Sequence, residues 1–337
     1  MKYIELGKTG LQCAEISFGG IPLQRDDAAN AMAVVDALEQ HGINFIDTAR
    51  GYTVSEGFLG AALEGRRNKF ILATKSMMRS YDGMTKEIES SLRELRTDYI
   101  DLYQIHNLSV NEFDEVFAPN GAYQALLDAK AAGRIGHIGV TAHNVETLEK
   151  IINEYPKHFE TFMFPYNIVE LQGSDILKTA RANGIGTICM KPLAGGNLDD
   201  YELALRFISQ SDAIDISVVG MGNTDEVLRN AAAAEKLTPL NDQDIAKCEK
   251  IRKDLGSRFC RRCGYCAPCT VGININMCFL LSNYLHKYSL VEWAKQRYEA
   301  LPLHASDCIG CRACEIRCPY NLPISEMLRD VARDFGK

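Results

Sequence analysis

Between Ile16 and Gly220 one hydrophobic pattern recurs: an alanine-rich amphipathic stretch, then a glycine, then a short unbroken apolar run beginning with isoleucine. It is plainest in "ALEQHGINFID", "AKAAGRIGHIGV" and "TARANGIGTICM". A glycine just past the last helical turn is the usual C-cap, and an apolar run without alternation is what a strand buried on both faces requires. Such runs stand near Ile16 to Gly20, Ile43 to Asp47, Phe70 to Lys75, Tyr99 to His106, Ile135 to Val140, Phe162 to Phe164, Ile185 to Met190 and Ile216 to Gly220. Eight strands alternating with helices over about 240 residues predict a (β/α)8 TIM barrel. A doubly wound sheet also alternates, but it would carry G-x-G-x-x-G after its first strand, and "FGGIPL" does not fit that fingerprint.

Past Ala231 to Ala234 the pattern changes. "LTPLNDQDIAKCEKIRKDLG" predicts a helix that begins at Asn241 or Asp242 and stops at Gly256. The domain boundary is placed there, with residues 1–255 as the barrel and 256–337 as a second, smaller domain. Within the latter, "MCFLLSNYLHKYSLVEWAKQRYEAL" has a helical apolar period, and its Trp293 and tyrosines are expected to pack a small α-helical core.

Composition sharpens this picture in three places. With 337 residues and 46% hydrophobic content there is ample material for a buried core. The start, "MKYIELGKTG", has charges where a signal peptide needs an apolar run, and no apolar segment approaches the roughly 18 residues of a membrane span, so a cytoplasmic protein with no membrane partner is expected. A net charge of -7 argues against nucleic acid as a partner. From Gly256 onward, eleven Lys and Arg against seven Asp and Glu leave that part at about +4 and the rest at about -11, a balance that suits a docking patch or, the account preferred, cations placed near anionic iron–sulfur clusters. Of twelve cysteines, nine lie from Cys260 to Cys318, eight of them in two closely spaced runs, which in a reducing compartment points to metal or redox chemistry. The scattered Cys13, Cys189, Cys248 and Cys278 read as small buried hydrophobes.

Barrel chemistry gathers at the C-terminal ends of strands. There the sequence offers Asp47, then Tyr52 in "DTARGY", Lys75 in "ILATKS" and His106 in "LYQIHN". Singly, each has a structural account: a helix cap, a packed ring, a solvated strand end, a satisfied core histidine. Four titratable groups at successive strand ends, facing one mouth, point to catalysis. A lysine about 4 Å from a tyrosine interacts by roughly 4 kcal/mol at an effective dielectric of about 20, on the order of three pKa units before the lysine's own desolvation. Asp47 would hold Lys75 cationic. Tyr52 then becomes a general acid for a carbonyl oxygen, with His106 hydrogen-bonding that oxygen. Loops after strands seven and eight, "KPLAGGN" and "GMGNTDEV", offer Gly195, Gly196, Gly220, Gly222 and Asn223 as an anion site, with Asn223 an N-cap and Glu226 completing a capping box.

The segments "NFIDTARGYTVSEGFLG", "FILATKS", "LRTDYIDLYQIHN", "GRIGHIGVT", "PYN", "KPLAGG" and "VVGMGNTDEVLRN" resemble the aldo-keto reductases over about residues 1 to 235. The resemblance implies an Asp47, Tyr52, Lys75, His106 tetrad and an NAD or NADP coenzyme. It also implies that Thr141, Asn167, Lys191 and Asn230 contact that coenzyme, together with the five loop residues above. This chain departs from the family pattern at Ala142, Met163 and Met190, which alters the nicotinamide grip. Gly220 and Glu226 stand where the family places basic residues for a 2'-phosphate. Glu226 would repel that phosphate, which favours NADH, although Arg229 stands nearby. The substrate is a small carbonyl or alcohol, and Tyr52, Met77, Met78, Tyr81 and Phe117 are expected to make its pocket partly apolar.

Cys260, Cys263, Cys266 and Cys269 form C-x2-C-x2-C-x2-C, and Cys308, Cys311, Cys314 and Cys318 form C-x2-C-x2-C-x3-C before Pro319. The second is the bacterial ferredoxin run for a 4Fe-4S cluster, in which the fourth cysteine serves the other cluster. That rule assigns Cys260, Cys263, Cys266 and Cys318 to one cluster and Cys308, Cys311, Cys314 and Cys269 to the other. The first run has Thr270 where proline is usual. Zinc is the competing metal, but each run offers thiolates beyond the pairs zinc needs. The layout resembles the ferredoxin-like module at the C-terminus of one aldo-keto reductase subgroup. Three functions then stand: a nicotinamide-dependent carbonyl reductase stapled by its clusters; a relay to a redox partner, either ferredoxin or flavoprotein; and an electron-transfer subunit without barrel chemistry. The tetrad favours an aldo-keto reductase-type oxidoreductase carrying two 4Fe-4S clusters.

Overall fold

Ten strands appear in the computed structural model, which is described for residues 1–287 and 290–336. They are β1 (Tyr3–Glu5), β2 (Gln12–Ala14), β3 (Ile16–Gly19), β4 (Phe45–Asp47), β5 (Ile71–Ser76), β6 (Ile100–Ile105), β7 (Ile135–Thr141), β8 (Thr161–Pro165), β9 (Gly186–Met190) and β10 (Ile216–Gly220). Strands β3 to β10 pair in chain order, all parallel, and β10 returns to β3 with Val218 opposite Ser17, closing the barrel. All eight expected runs are strands, within a few residues of their expected ends. The glycines that separate helix from strand in the three quoted repeats, Gly42, Gly133 and Gly184, all take positive φ, the conformation a C-cap needs. Helix starts are capped as their sequences allow. Asp27 accepts from Asn30 N–H before Ala28–Gln40, Ser80 from Gly83 N–H before Tyr81–Glu94, and Asn223 from Glu226 N–H before Thr224–Ala234.

One core fills the barrel and another lies between the barrel and its helices. The interior holds Phe45, Ala73, Leu102, Met163, Ile188, Ile216 and Val218. The hairpin β1–β2, absent from the sequence expectation because each strand has three residues, closes that interior with the fully buried Leu6 and Cys13. Gly7 turns the hairpin at φ +56°, and a Cβ there would lie 2.3 Å from Gly186 N. The larger outer core joins Phe18, Leu38, Leu59, Leu72, Tyr103 and Phe162 to the helix faces.

The chain forms two compact units, Met1–Leu193 with Asp200–Leu240, and Ala194–Asp199 with Asn241–Lys337. The division falls at Leu240, so the helix Asp242–Gly256, on the barrel side of the expected boundary, counts with the second unit. That unit adds helices Ile275–His286, Val291–Glu299, Ala313–Ile316 and Ile324–Phe335. Its core is Ile273, Ile275, Phe279, Leu281, Tyr298, Leu322, Leu328 and Val331 together with buried cysteines. Tyr298 is fully buried, stacks on Phe335 with ring centroids 3.9 Å apart, and its hydroxyl accepts from Ala305 N–H. Trp293 packs edge-on to Tyr284 at 4.9 Å. Tyr288 and Ser289, in the same stretch, lie outside the described residues. Among the described residues no helix is long and apolar enough to cross a membrane.

Candidate active site and cysteine quartets

Strand register brings the four strand-end groups to one mouth. Lys75 on β5 pairs with Gln104 on β6, and Asp47 ends β4 beside Ala73. His106 follows β6, its N–H donating to Ser76 O at 2.9 Å, and Tyr52 sits in the turn between β4 and the helix Ser55–Ala62. Lys75 Nζ donates to Asp47 Oδ2 at 2.5 Å and to Thr48 O at 2.7 Å. The same ammonium lies 4.9 Å from the centroid of the Tyr52 ring, and that ring meets His106 edge-on at 6.1 Å. Gln104 Nε2 donates to the second Asp47 oxygen at 3.3 Å.

Electrostatics follow from this packing. Burial works against the Lys75 cation, but Asp47 and Tyr52 outweigh it and hold its pKa above the ordinary value. Burial pushes the Asp47 carboxyl up, opposed by Lys75 and the Gln104 amide. Burial, with the cations of Lys75 and Arg79, pushes His106 down to about 3, so its imidazole is neutral near pH 7. Its Nδ1 is buried without a hydrogen-bond partner, an atom left over for a ligand.

Two residues of this constellation escaped the sequence reading. Gln104 bonds the tetrad carboxylate, and Arg79 donates to His106 O at 2.9 Å, to Asn107 O at 3.1 Å and to Glu112. Gln104 carried a signal, being a polar residue inside an apolar strand two positions before His106. Arg79, four residues past Lys75, carried none.

The expected coenzyme residues divide. Asn230 is buried, donates to Glu226 O at 2.7 Å and leaves Oδ1 without a partner. Asn223 caps its helix as expected, but Glu226 reaches Gly222 N–H at 2.6 Å, one residue before the N-cap N–H a capping box would satisfy. Gly220 and Gly222 lie against Pro22, where a Cβ on either would come 3.2 Å from the proline ring. Thr141 Oγ1 accepts from Asn107 N–H, and Asn167 is fully buried, donating to Glu170 and to Lys191 O while accepting from Val169 and Glu170 N–H. Gly195 and Gly196 fall in the segment that groups with the second unit, where Gly196 lies against Lys287. Of the expected substrate-pocket residues, Met77 and Met78 are exposed, the Tyr81 hydroxyl donates to Asp128, and Phe117 is instead stacked on Tyr155 at 4.1 Å within an aromatic cluster.

In the second unit the cysteines surround two openings. One, of about 300 Å³, is lined by Cys260, Cys263, Cys266 and Cys318 with Arg261, Phe279 and Tyr320. The other, of about 310 Å³, is lined by Cys269, Cys308, Cys311 and Cys314 with Thr270, Ile309 and Arg312. Each run therefore sends its fourth cysteine to the opening lined by the other run. Among the described residues no three His, Cys, Asp or Glu side chains converge closely enough to hold a single metal ion. The quartets are spread around openings. The Cys311 thiol donates to Thr270 Oγ1 at 3.3 Å, and Arg317 donates to Cys266 O at 2.7 Å and Pro268 O at 2.6 Å, tying the two runs together. Cys13 and Cys189 are buried thiols whose pKa burial raises, and Cys248 and Cys278 are buried too.

Comparison with known proteins agrees with both halves. Residues 15–202 match the Aldo/keto reductase family, and residues 259–323 match the 4Fe-4S dicluster domain. The chain is 27% identical over 300 residues to L-galactose dehydrogenase of Arabidopsis thaliana, covering 73% of this chain and 92% of that protein. It is 30% identical over 231 residues to methylglyoxal reductase DkgB of Salmonella typhi, covering 63% and 80%. Among solved structures it is similar to the holo form of aldo-keto reductase AKR11C1 from Bacillus halodurans, with TM-score 0.66, 26% identity, and coverage of 74% of this chain and 96% of that one.

Proposed function

This chain belongs to the aldo/keto reductase family, and from that premise we propose that its barrel is a nicotinamide-dependent carbonyl reductase, or alcohol dehydrogenase in reverse, with Tyr52 as general acid. One observation carries the reading: Lys75 Nζ is held 2.5 Å from Asp47 and faces the Tyr52 ring that also meets His106. A bound nicotinamide would supply or take the hydride. Tyr52 gives its hydroxyl proton to the carbonyl oxygen, and the Lys75 cation stabilises the phenolate left behind. Asp47 keeps Lys75 charged and aimed. His106, neutral near pH 7, contributes a hydrogen bond rather than a charge to the same oxygen.

The coenzyme site is argued from the first unit's own residues. The unpartnered Asn230 Oδ1 offers an acceptor to an adenine amino group, while Gly220 and Asn223 would bring backbone N–H groups to the start of the helix Thr224–Ala234, and Gly222 would do so only if Glu226 released its N–H. Thr141, Asn167 and Lys191 would hold the nicotinamide end of a bound coenzyme. Glu226 already occupies Gly222 N–H with a carboxylate, which supports NADH over NADPH. The test is anaerobic coenzyme oxidation with a panel of small aldehydes and ketones. Tyr52→Phe is expected to lose about 10² to 10⁴ of the rate while retaining coenzyme binding. Equal rates in the variant, or no coenzyme binding by the wild type, would sink the reading.

The cysteine quartets, each around an opening and supplying four thiols, fit two 4Fe-4S clusters, one on Cys260, Cys263, Cys266 and Cys318 and one on Cys269, Cys308, Cys311 and Cys314. Iron analysis near eight per chain supports that assignment, and about four removes one of the two. Bound clusters would exchange one electron each, whereas a hydride carries two. Redox relay is therefore a second reading, and the exposure of Cys311 favours it.

A further inference from the structure

The two quartets differ in how they meet solvent. Around the first, Cys266 and Cys318 are buried, Cys260 and Cys263 are half-buried, and the buried Arg261 lies over the Tyr320 ring at 4.2 Å. Around the second, Cys311 is exposed. It sits in the segment from Cys308 to Arg317, a loop running into the short helix Ala313–Ile316, whose two isoleucines are the most exposed large hydrophobic residues of the described chain, Ile309 at 65% and Ile316 at 87%. Nothing in folding stability accounts for this, because an isoleucine held in water contributes no burial and invites association. Nor is the loop loose. Arg317 anchors it to two backbone carbonyls of the first run, and Gly310 and Arg312 take the left-handed conformation that turns it outward. Arg312 has 72% of its side chain exposed and pairs with Glu315 at 3.8 Å, and Arg317 is also exposed.

We propose that this segment is the docking surface for an acidic one-electron carrier protein, with Ile309 and Ile316 as the apolar centre and Arg312 and Arg317 as its cationic rim. The inference rests on the reading that the second quartet holds a cluster. An apolar centre within a charged rim is the usual anatomy of an electron-transfer contact, and the rim's sign selects an anionic partner and speeds its encounter. The segment from Gly256 onward, with eleven Lys and Arg against seven Asp and Glu, carries the same sign. Placing the contact over Cys311 lets one electron pass from the reduced carrier to the oxidised cluster held by Cys269, Cys308, Cys311 and Cys314. No bond forms or breaks and no proton moves. In the first quartet none of Cys260, Cys263, Cys266 and Cys318 is exposed as Cys311 is.

The test uses the full chain with its iron content verified, and a purified acidic ferredoxin as probe. Anaerobic calorimetry measures binding of oxidised ferredoxin, and stopped-flow absorbance measures electron exchange with reduced ferredoxin. Ile316→Asp and Arg312→Glu are expected to weaken binding and slow exchange at least ten-fold, with iron content unchanged and exchange with a small uncharged reductant unaffected. Wild-type exchange is expected to fall as salt is raised from about 0.05 to 0.3 M. Binding by the variants equal to wild type, no binding by wild type, or dependence on neither charge nor Ile316 overturns the proposal. Sedimentation showing a wild-type dimer that Ile316→Asp disperses overturns it in favour of a second copy of this chain. A chain without iron in the second quartet fails the cluster reading instead, which the iron measurement shows separately.

Discussion

Arg79 does its work through backbone carbonyls. Its guanidinium donates to His106 O and Asn107 O, is braced by Glu112, and is buried. It is thus a positioning residue: it fixes the loop that presents His106 and adds a cation beside it. Arg79→Met is expected to lower kcat/KM by roughly 10- to 100-fold, as a displacement of about 1 Å at a reacting group does. Because a cation is lost, the His106 pKa should also rise, which histidine NMR reads and a purely structural role would not move. The His106 shift has a second consequence. Its folded pKa of about 3 lies below the ordinary value, so between about pH 6.5 and 3 the unfolded chain binds a proton that the folded chain does not. Stability is therefore lost as pH falls through that window. His106→Phe is expected to make stability less acid-sensitive there, measured by denaturant midpoints from pH 7 to 4, and an unchanged slope would count against the shift. Glu226 places a negative charge on Gly222 N–H: Glu226→Arg is expected to move preference toward NADPH by about ten-fold or more, read as a ratio of kcat/KM values.

At the scale of elements, the hairpin β1–β2 matters more than its length. Leu6 is fully buried and packs against Gly186, where a Cβ would come 2.7 Å from Leu6 Cγ. Leu6→Ala is expected to cost about 2–5 kcal/mol of barrel stability, measured by denaturant unfolding, with little effect on KM because the plug and the mouth are at opposite ends. A cost below about 1 kcal/mol would show that the hairpin is dispensable. The contrast between this hairpin and the barrel strands shows what a chain reveals by itself. Strands such as β7 and β9 were legible because both faces are buried and a left-handed glycine marks each start. The hairpin was not, since three-residue strands have no period to read. Among the mouth residues, Asp47, Lys75 and His106 stood out as polar ends of apolar runs. Arg79, Glu112 and the side chains spent by Asn167 depend on a loop geometry that no local pattern encodes. For the same reason the sequence placed Gly195 and Gly196 with the barrel, while contacts far along the chain group them with the second unit.

The two units of the molecule are stabilised by different means. The first has a closed barrel with two layers of apolar core, which needs no metal to hold it. In the second, buried Cys266, Cys278, Cys314 and Cys318 belong to the core itself, and Cys260, Cys269 and Cys308 pack against it. Seven of its eight quartet sulfurs are thus at least half-buried, around openings of about 300 Å³ each. Bridging those openings with iron would add the free energy of metal–thiolate binding to folding, as in small metal-dependent domains. Removing it would leave unpartnered thiols around a cavity. Chelation after exposure to air is therefore expected to melt the second unit selectively. Calorimetry of the anaerobic holoprotein should show that unit's transition lowered or abolished on iron loss, while the barrel transition moves by no more than a few degrees. Limited proteolysis should then cut within residues 241–337 and spare a barrel fragment. Retention of the second unit's transition after iron loss would mean that its apolar core suffices. Loss of both transitions together would mean that the units unfold as one body, and that the clusters stabilise the catalytic barrel as well.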